Sequence, residues 1–513
     1  MNRRQMITTL AGGAFAAGRG FAAMADDVER QPSGDLGNGY YRNPIIVAGD
    51  IADIGSIRVG GDYYLVHYYT CAPGRPIWHS RDLIHWQPAA HMVKERAGGG
   101  DLAVYEGRFY HYGNGRGGIA VRQAEHPLGP WSDPLIMPDV KPWDLTHVAG
   151  PDGRRWLLSG FQEGNVYEIS KDGTKVLRGP IKMYDGWPIP KDWDIECPCM
   201  EGWNAFYKDG YYYLTAAQGG TSGPPTAHMV IAARAKEMTG PWENSPYNPI
   251  VHTYNPEEPY WAQGNGRLVD TPEGEWFMFY HTYRKGHFNL GRNIMLVPIE
   301  WTSDGWFRVP PNLRVDQPIR KPKGGEALPH GYTLSDDFRG SDLDIKWGFP
   351  APSAEGRYSF GNGGLHLKGS GTNMAECIPM VMPCTHAAYE YVVEMTVPPG
   401  LTGGATVFYE PRAYAAIGLT GGLIRPYIGY SRDINYPLPY QGSHVFFRMV
   451  FQNDLVRMFF SPDGSNWTKI PSTGEVSGLH RNSMGTWCAM RPGIFAFGSG
   501  EVVVHNFRLK GLA

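Results

Sequence analysis

At 513 residues the chain is too long for one ordinary hydrophobic core, so two domains are expected. Its net charge of -3, from 47 basic and 50 acidic residues, carries no polyanion-binding signature, which argues against a nucleic-acid partner. The 67 glycines, 42 prolines and 13% aromatic content suit many short strands joined by tight turns, and they suit sugar binding, because apolar sugar faces stack on aromatic rings.

The chain opens with Asn2-Arg3-Arg4-Gln5-Met6-Ile7, a twin-arginine pattern. A weakly apolar stretch follows and ends in Ala23-Met24-Ala25, an A-x-A cleavage site ahead of Asp26 and Asp27. Residues 1–25 therefore read as an export signal, and the expected location is the periplasm or outside a bacterial cell. No later run of about 20 apolar residues exists, so no membrane association is expected. Disulfides are permitted in that compartment. Cys377 with Cys384, or Cys71 with one of Cys197 and Cys199, are the pairings considered. Cys197-Pro198-Cys199 is too short for the usual zinc spacing, and no second pair complements it.

A unit made of a strand-like run, a tight turn and a second run rich in β-formers recurs five times. It is fullest in Cys199 to Leu214, where the turn is Lys208-Asp209-Gly210. The same unit surrounds Asp62, Glu106, Asp152 and Glu273, at spacings of about 45–65 residues, a period that signals a propeller or solenoid. In a propeller the first strand of each blade lines the central channel. About nine residues before the five turns stand Asp53, the Gly98-Gly99-Gly100 run, Asp144, Glu201 and Asn265. Equivalent positions converge around the axis, so Asp53, Asp144 and Glu201 are expected to meet at the mouth of the channel.

In chain order, residues 26–41 read as a polar leader. Blade one runs from Asp53 to Trp86, blade two from Asp101 to Met137, and blade three from Trp143 past Lys175. Gly179 to Glu196 reads as a long loop at the rim of the site. Blade four continues through Met229 to Trp242, where Gly240-Pro241-Trp242 repeats Gly129-Pro130-Trp131 of blade two. Blade five runs from Trp261 to Trp306. The expected architecture is all-β: a five-bladed β-propeller over 26–310, a Pro-rich linker over 311–334, and a second domain over 335–513. Alternating segments such as Tyr389 to Met395 and Phe446 to Phe451 mark that domain as an antiparallel β-sandwich. It holds no carboxylate cluster and reads as accessory.

Three carboxylates at one channel mouth suit glycosidic bond cleavage, which needs one carboxyl to protonate the leaving oxygen and another to activate water or to attack. Mutual repulsion raises at least one pKa and keeps a proton available near neutral pH. Glu201, with the longer side chain, is the expected acid and Asp53 the expected base, with Asp144 orienting substrate and tuning Glu201. Asp50, Asp101 and Asp192 lack the register support and read as structural.

These motifs resemble glycoside hydrolase family 43, the inverting β-xylosidase and α-L-arabinofuranosidase family. Gly49 to Asp53 followed by Ser56-Ile-Arg-Val is similar to its base motif, Trp143-Asp144 with Asp152-Gly153 to its pKa-modulator motif, and Met200-Glu201-Gly202 before Tyr207 to Leu214 to its general-acid motif. Gly291-Arg292 resembles the segment that carries a substrate-binding arginine, and the chain end from Met490 to Gly498 resembles the end of the sandwich often fused to these enzymes. The resemblance implies a concanavalin-like sandwich that often closes the pocket in relatives. It also implies exo action on pentose-containing plant polysaccharide, with Arg292, Trp143, Asn265 and Trp203 as substrate contacts. The family commonly has a histidine at Asn265 that often helps bind a central calcium, so no cofactor is expected to be required and a metal is in doubt. Gln218 also replaces a glutamate. Other glycosidase specificities, exo-galactosidase or endo-arabinanase among them, and a non-catalytic carbohydrate-binding propeller remain the alternatives.

Overall fold

The computed structural model describes residues 29–68, 76–93, 100–350, 354–430 and 436–512. The twin-arginine segment and Cys71 lie outside the described residues. Among the described residues, no helix is long and apolar enough to cross a membrane.

Five antiparallel sheets follow one another along the chain. Each has four strands in sequence order, and blade four gains a fifth short strand, Val251–His252. The first strands are Ala52–Val59, Gly100–Tyr105, Thr146–Ala149, Met200–Lys208 and Tyr260–Asp270. Each packs beside the first strand of the next blade, and Tyr260–Asp270 packs beside Ala52–Val59, so the sheets form a closed five-bladed propeller. The recurring turn has a simple cause. Glu106-Gly107 and Asp209-Gly210 both take positive φ at both residues, the two-residue hairpin whose twist matches the strands it joins. The repeated Gly-Pro-Trp puts Trp131 against the core between blades one and two and Trp242 against the core between blades three and four.

The ring is latched by the segment that precedes blade one. Asn43 donates its amide N–H to Leu296 O at 2.8 Å and accepts from Leu296 N at 2.9 Å, while Ile45 N donates to Ile294 O. Both partners lie on Arg292–Trp301, the third strand of blade five. Trp86 of blade one is fully buried, donates its indole N–H to Leu83 O, and meets Phe279 of blade five edge-on at 5.8 Å.

Two expectations about connecting segments change. The loop expected from Gly179 to Glu196 is shorter, because Val176–Tyr184 continues as the outer strand of blade three. Residues 311–334 are not a free tether. Ile319–Arg320 pairs with Tyr40–Tyr41, and Leu313, Val315 and Tyr332 pack into the core shared by blades one and five.

The second domain is a sandwich of an eight-stranded and a six-stranded antiparallel sheet around one core. Leu290 of the propeller enters that core, and Met490 N donates to Asn289 O, so the two domains meet beside the start of blade five's third strand. The expected Cys377–Cys384 pairing is absent. Both thiols are free and buried, and each bonds a separate backbone carbonyl, Ala496 O and His386 O. Cys197 and Cys199 are bonded to each other, which leaves neither for Cys71.

Truncating Trp86 would leave a large cavity where the ring closes. Trp86→Ala should cost about 3–5 kcal/mol, whereas Leu177→Ala, at a site 64% exposed, should stay within about 0.5 kcal/mol. Urea denaturation followed by circular dichroism checks both.

Candidate active site

The three carboxylates reach the channel through irregular backbone. Between the first two strands of blade one the register slips between Ala52 and Gly55, and Asp53 stands in the bulge with φ 49°. In blade four the slip lies between Glu201 and Asn204, and Gly202 takes the left-handed conformation at φ 62°. Asp53 therefore matches Gly202, and Glu201 sits one residue earlier, matching Ala52. Counting back from the turns finds the neighbourhood but misses this offset. Asp144 has φ 38° just before its strand, and Asn265 has φ 59° within the second of two slips in blade five. A bulge bends the strand and re-aims a side chain, which is how blades one, four and five point these groups at the spot that Asp144 reaches from the entry to its strand.

Gly202 links the four. Its backbone N–H donates to Asp144 Oδ2 at 2.8 Å, and a Cβ on it would lie 2.8 Å from Asn265 Nδ2. Asn265 in turn donates Nδ2–H to Asp53 Oδ1 at 2.9 Å. Glu201 accepts from the Trp143 indole at 3.3 Å and from Thr221 Oγ1 at 3.4 Å. Arg292 is buried and held by Asp50 through Nε and Nη2, both at 3.0 Å, and its Nη1 stands 3.9 Å from Asp53 Oδ2. The central carbon of its guanidinium lies over the ring of Trp487, 4.0 Å from the ring centre, and that ring is supplied by the sandwich.

The electrostatics separate the groups. Burial raises Asp53 above the usual carboxylate range, against the pull of Arg292 and the Asn265 hydrogen bond. Burial, then the charges of Asp53 and Glu201, push Asp144 well up. Burial and the Asp53 charge raise Glu201 to about 7, so this carboxyl holds its proton to near neutrality. Beneath Asp53 lies His281, with Nδ1 3.8 Å from Asp53 Oδ1 and its ring stacked at 5.3 Å on His228. Burial and the Arg292 charge keep His281 neutral; burial lowers His228 to about 4.

This lining does not fit a calcium ion. Asn265 turns an N–H rather than an oxygen toward the axis, and the Arg292 cation stands beside Asp53. Among the described residues, no group of three or more His, Cys, Asp or Glu side chains could hold a metal.

Asp53, Asp144, Glu201, Asn265 and Arg292 are thus brought together, with Trp143 at the rim and 44% exposed. Trp203 is not. It is buried in the core between blades three and four and donates its indole N–H to Gly160 O at 2.9 Å, so it faces no ligand. Asn265 is also buried and spends its amide on Asp53. Asp50, read from the sequence as structural, holds Arg292 in place, whereas sequence reasoning missed Thr221, His281 and Trp487. Thr221 lay three residues past the noted Gln218, but nothing local marks Trp487, which arrives from another domain.

Residues 41–307 match the model for glycosyl hydrolases family 43, and residues 335–506 match that for the β-xylosidase C-terminal concanavalin A-like domain. A non-reducing end α-L-arabinofuranosidase of Bacteroides ovatus is 30% identical over 65% of this chain and 66% of its own length. A xylosidase/arabinosidase of Butyrivibrio fibrisolvens is 30% identical over 53% of this chain and 56% of its own. The chain thus spans less than two thirds of the length of either relative. The crystal structure of a GH43 protein from Bacillus licheniformis superposes with a TM-score of 0.81 at 24% identity, over 92% of this chain and 99% of that one, which shows a shared fold.

Raising a carboxyl from 4.5 to about 7 means that ionising it costs folding free energy. That cost is absent below pH 4.5 and grows as pH rises through 7. Glu201→Gln, which never ionises, should therefore melt like the wild type near pH 4 and be more stable by on the order of 1–3 kcal/mol at pH 8. Calorimetric melts at the two pH values check the sign.

Proposed function

We propose that this chain, which belongs to glycosyl hydrolases family 43, is an inverting, exo-acting glycoside hydrolase that releases single pentose units, xylose or arabinofuranose, from plant polysaccharides and their oligosaccharides. The observation that carries the reading is the pairing of a carboxyl that stays protonated to about pH 7, Glu201, with a second, Asp53, beside the Arg292 cation. The names of the relatives, a non-reducing end arabinofuranosidase and a xylosidase/arabinosidase, support the pentose and the exo mode.

In this mechanism Asp53 takes a proton from water as its oxygen attacks the anomeric carbon. The bond from that carbon to the leaving oxygen breaks, and Glu201 delivers its proton to that oxygen. The anomeric configuration inverts in the single displacement. Asp53 ends protonated and Glu201 ionised, and exchange with solvent resets both. Arg292 stabilises the Asp53 carboxylate before the attack, while burial and the negative charge of Asp53 keep the proton on Glu201. Asn265, through its N–H, fixes which Asp53 oxygen faces the water.

Hydrolysis of 4-nitrophenyl β-xyloside and α-L-arabinofuranoside is the direct test. Asp53→Asn and Glu201→Gln should each lose about 10²–10⁴-fold, and proton NMR of the first-formed sugar should show the inverted anomer. A retained anomer, or variants as active as the wild type, would overturn the assignment.

Export through the twin-arginine route belongs to the same reading and rests on residues 1–25. Replacing both Arg3 and Arg4 by Lys should leave the protein in the cytoplasm of a host that carries this machinery. Equal export of wild type and variant would refute it.

A further inference from the structure

Trp143 and Phe161 are among the few large apolar side chains left exposed, at 44% and 40%, and they stand together, with ring centroids 4.7 Å apart. Isolated surface aromatics need no explanation, but a paired, exposed aromatic surface beside a reacting group does.

This pair is held rigidly. Ser159 Oγ receives Trp143 N–H at 3.2 Å and lies 2.7 Å from the Trp143 carbonyl oxygen. Gly160 N donates to that same carbonyl, and Gly160 O receives the buried indole N–H of Trp203. Gln162, on the other side of Phe161, takes φ 75° and donates its backbone N–H to Met200 O, the residue just before Glu201. Phe161 is thus pinned between two tethers, one to blade three and one to the strand that carries Glu201. The Trp143 indole closes the arrangement with its bond to Glu201 Oε2. This gives the buried Trp203 a purpose: it anchors the turn that presents Phe161.

The side on which this surface lies follows from the proton. The group that leaves is the one whose oxygen Glu201 protonates, so it must lie against Glu201 and whatever borders it. We infer that Trp143 and Phe161 form the platform for the leaving-group sugar, stacking on the apolar face of the residue next to the scissile bond, and that Phe161 sets the preference for a sugar over a small leaving group. The inference rests on the assignment of Glu201 as the acid and adds the ligand and the residue.

A rigid aromatic surface costs little entropy to bind, so its loss should appear as weaker use of substrates that occupy it and nowhere else. Phe161→Ala removes an exposed ring that bonds neither Glu201 nor Asp53. Substrates are xylobiose, which places a sugar on the platform, and β-D-xylopyranosyl fluoride, whose fluoride leaves the platform empty. If the wild type acts on arabinofuranosides instead, an α-L-arabinofuranosyl-xylose disaccharide and α-L-arabinofuranosyl fluoride replace them. Phe161→Ala should lower kcat/KM for the disaccharide about tenfold, chiefly through KM, with turnover of the fluoride cleaved by the wild type within about twofold; Phe161→Tyr should restore the disaccharide. Equal kcat/KM for the disaccharide in wild type and Phe161→Ala, or a parallel fall for disaccharide and fluoride, would overturn the platform. A wild type that hydrolyses neither class would instead overturn the catalytic reading on which it stands.

Discussion

A buried ion pair between Asp50 and Arg292 stands where the propeller closes, and the rest of the site is arranged around it. Asp50 belongs to the segment that enters blade one, and Arg292 begins the third strand of blade five. The carboxylate takes the Arg292 backbone N–H as well as two guanidinium bonds, so chain path and side chain are fixed together. Gly291 makes this possible: a Cβ there would lie 2.4 Å from Asp50 Cβ. A buried cation left without its partner is costly, so the pair resists opening even if its net contribution to stability is small. From this anchor Arg292 reaches Asp53 on one side and stacks on Trp487 of the sandwich on the other. One guanidinium therefore takes part in ring closure, in domain docking and in setting the charge state of Asp53.

The site stores strain in its backbone. Asp53, Asp144 and Asn265 all adopt left-handed conformations that most residues avoid, and each lies at a bulge or at the entry to a strand. Regular strands would alternate these side chains between channel and core. Breaking the register turns them toward the axis, and the continuous sheets behind them hold the distortion in place. Burial then does the electrostatic work, because acidic groups collected away from water cannot all ionise.

The sandwich shows why some strands can be read from sequence and others cannot. The segments read from sequence, such as Tyr389 to Met395 and Phe446 to Phe451, fall within Tyr389–Thr396 and His444–Gln452 of the eight-stranded sheet, where one face meets water and burial alternates. Thr402–Glu410 and Ala413–Thr420 of the other sheet are buried along almost their whole length. Covered on both faces, they have no polar face to make a pattern, and their Gly and Ala content hides them further.

The propeller was legible because its repeat is local: five hairpins with positive-φ turns announce five blades, and the carboxylates stand within a residue of the same short distance from those turns. The sequence by itself therefore determined the all-β class, the domain order and the identity of Asp53, Asp144, Glu201 and Arg292 as candidates. It could not say which neighbours those groups would have. Only the closed ring brings Asp50 to Arg292 across 242 residues and Asn265 to Asp53 across 212. Only domain docking lays Trp487 over Arg292, and only side-chain packing sends Trp203 into the core while leaving Trp143 and Phe161 at the surface. Local pattern decides which elements form; charge states and contacts depend on distances between residues far apart in the chain, and the tertiary structure sets those distances.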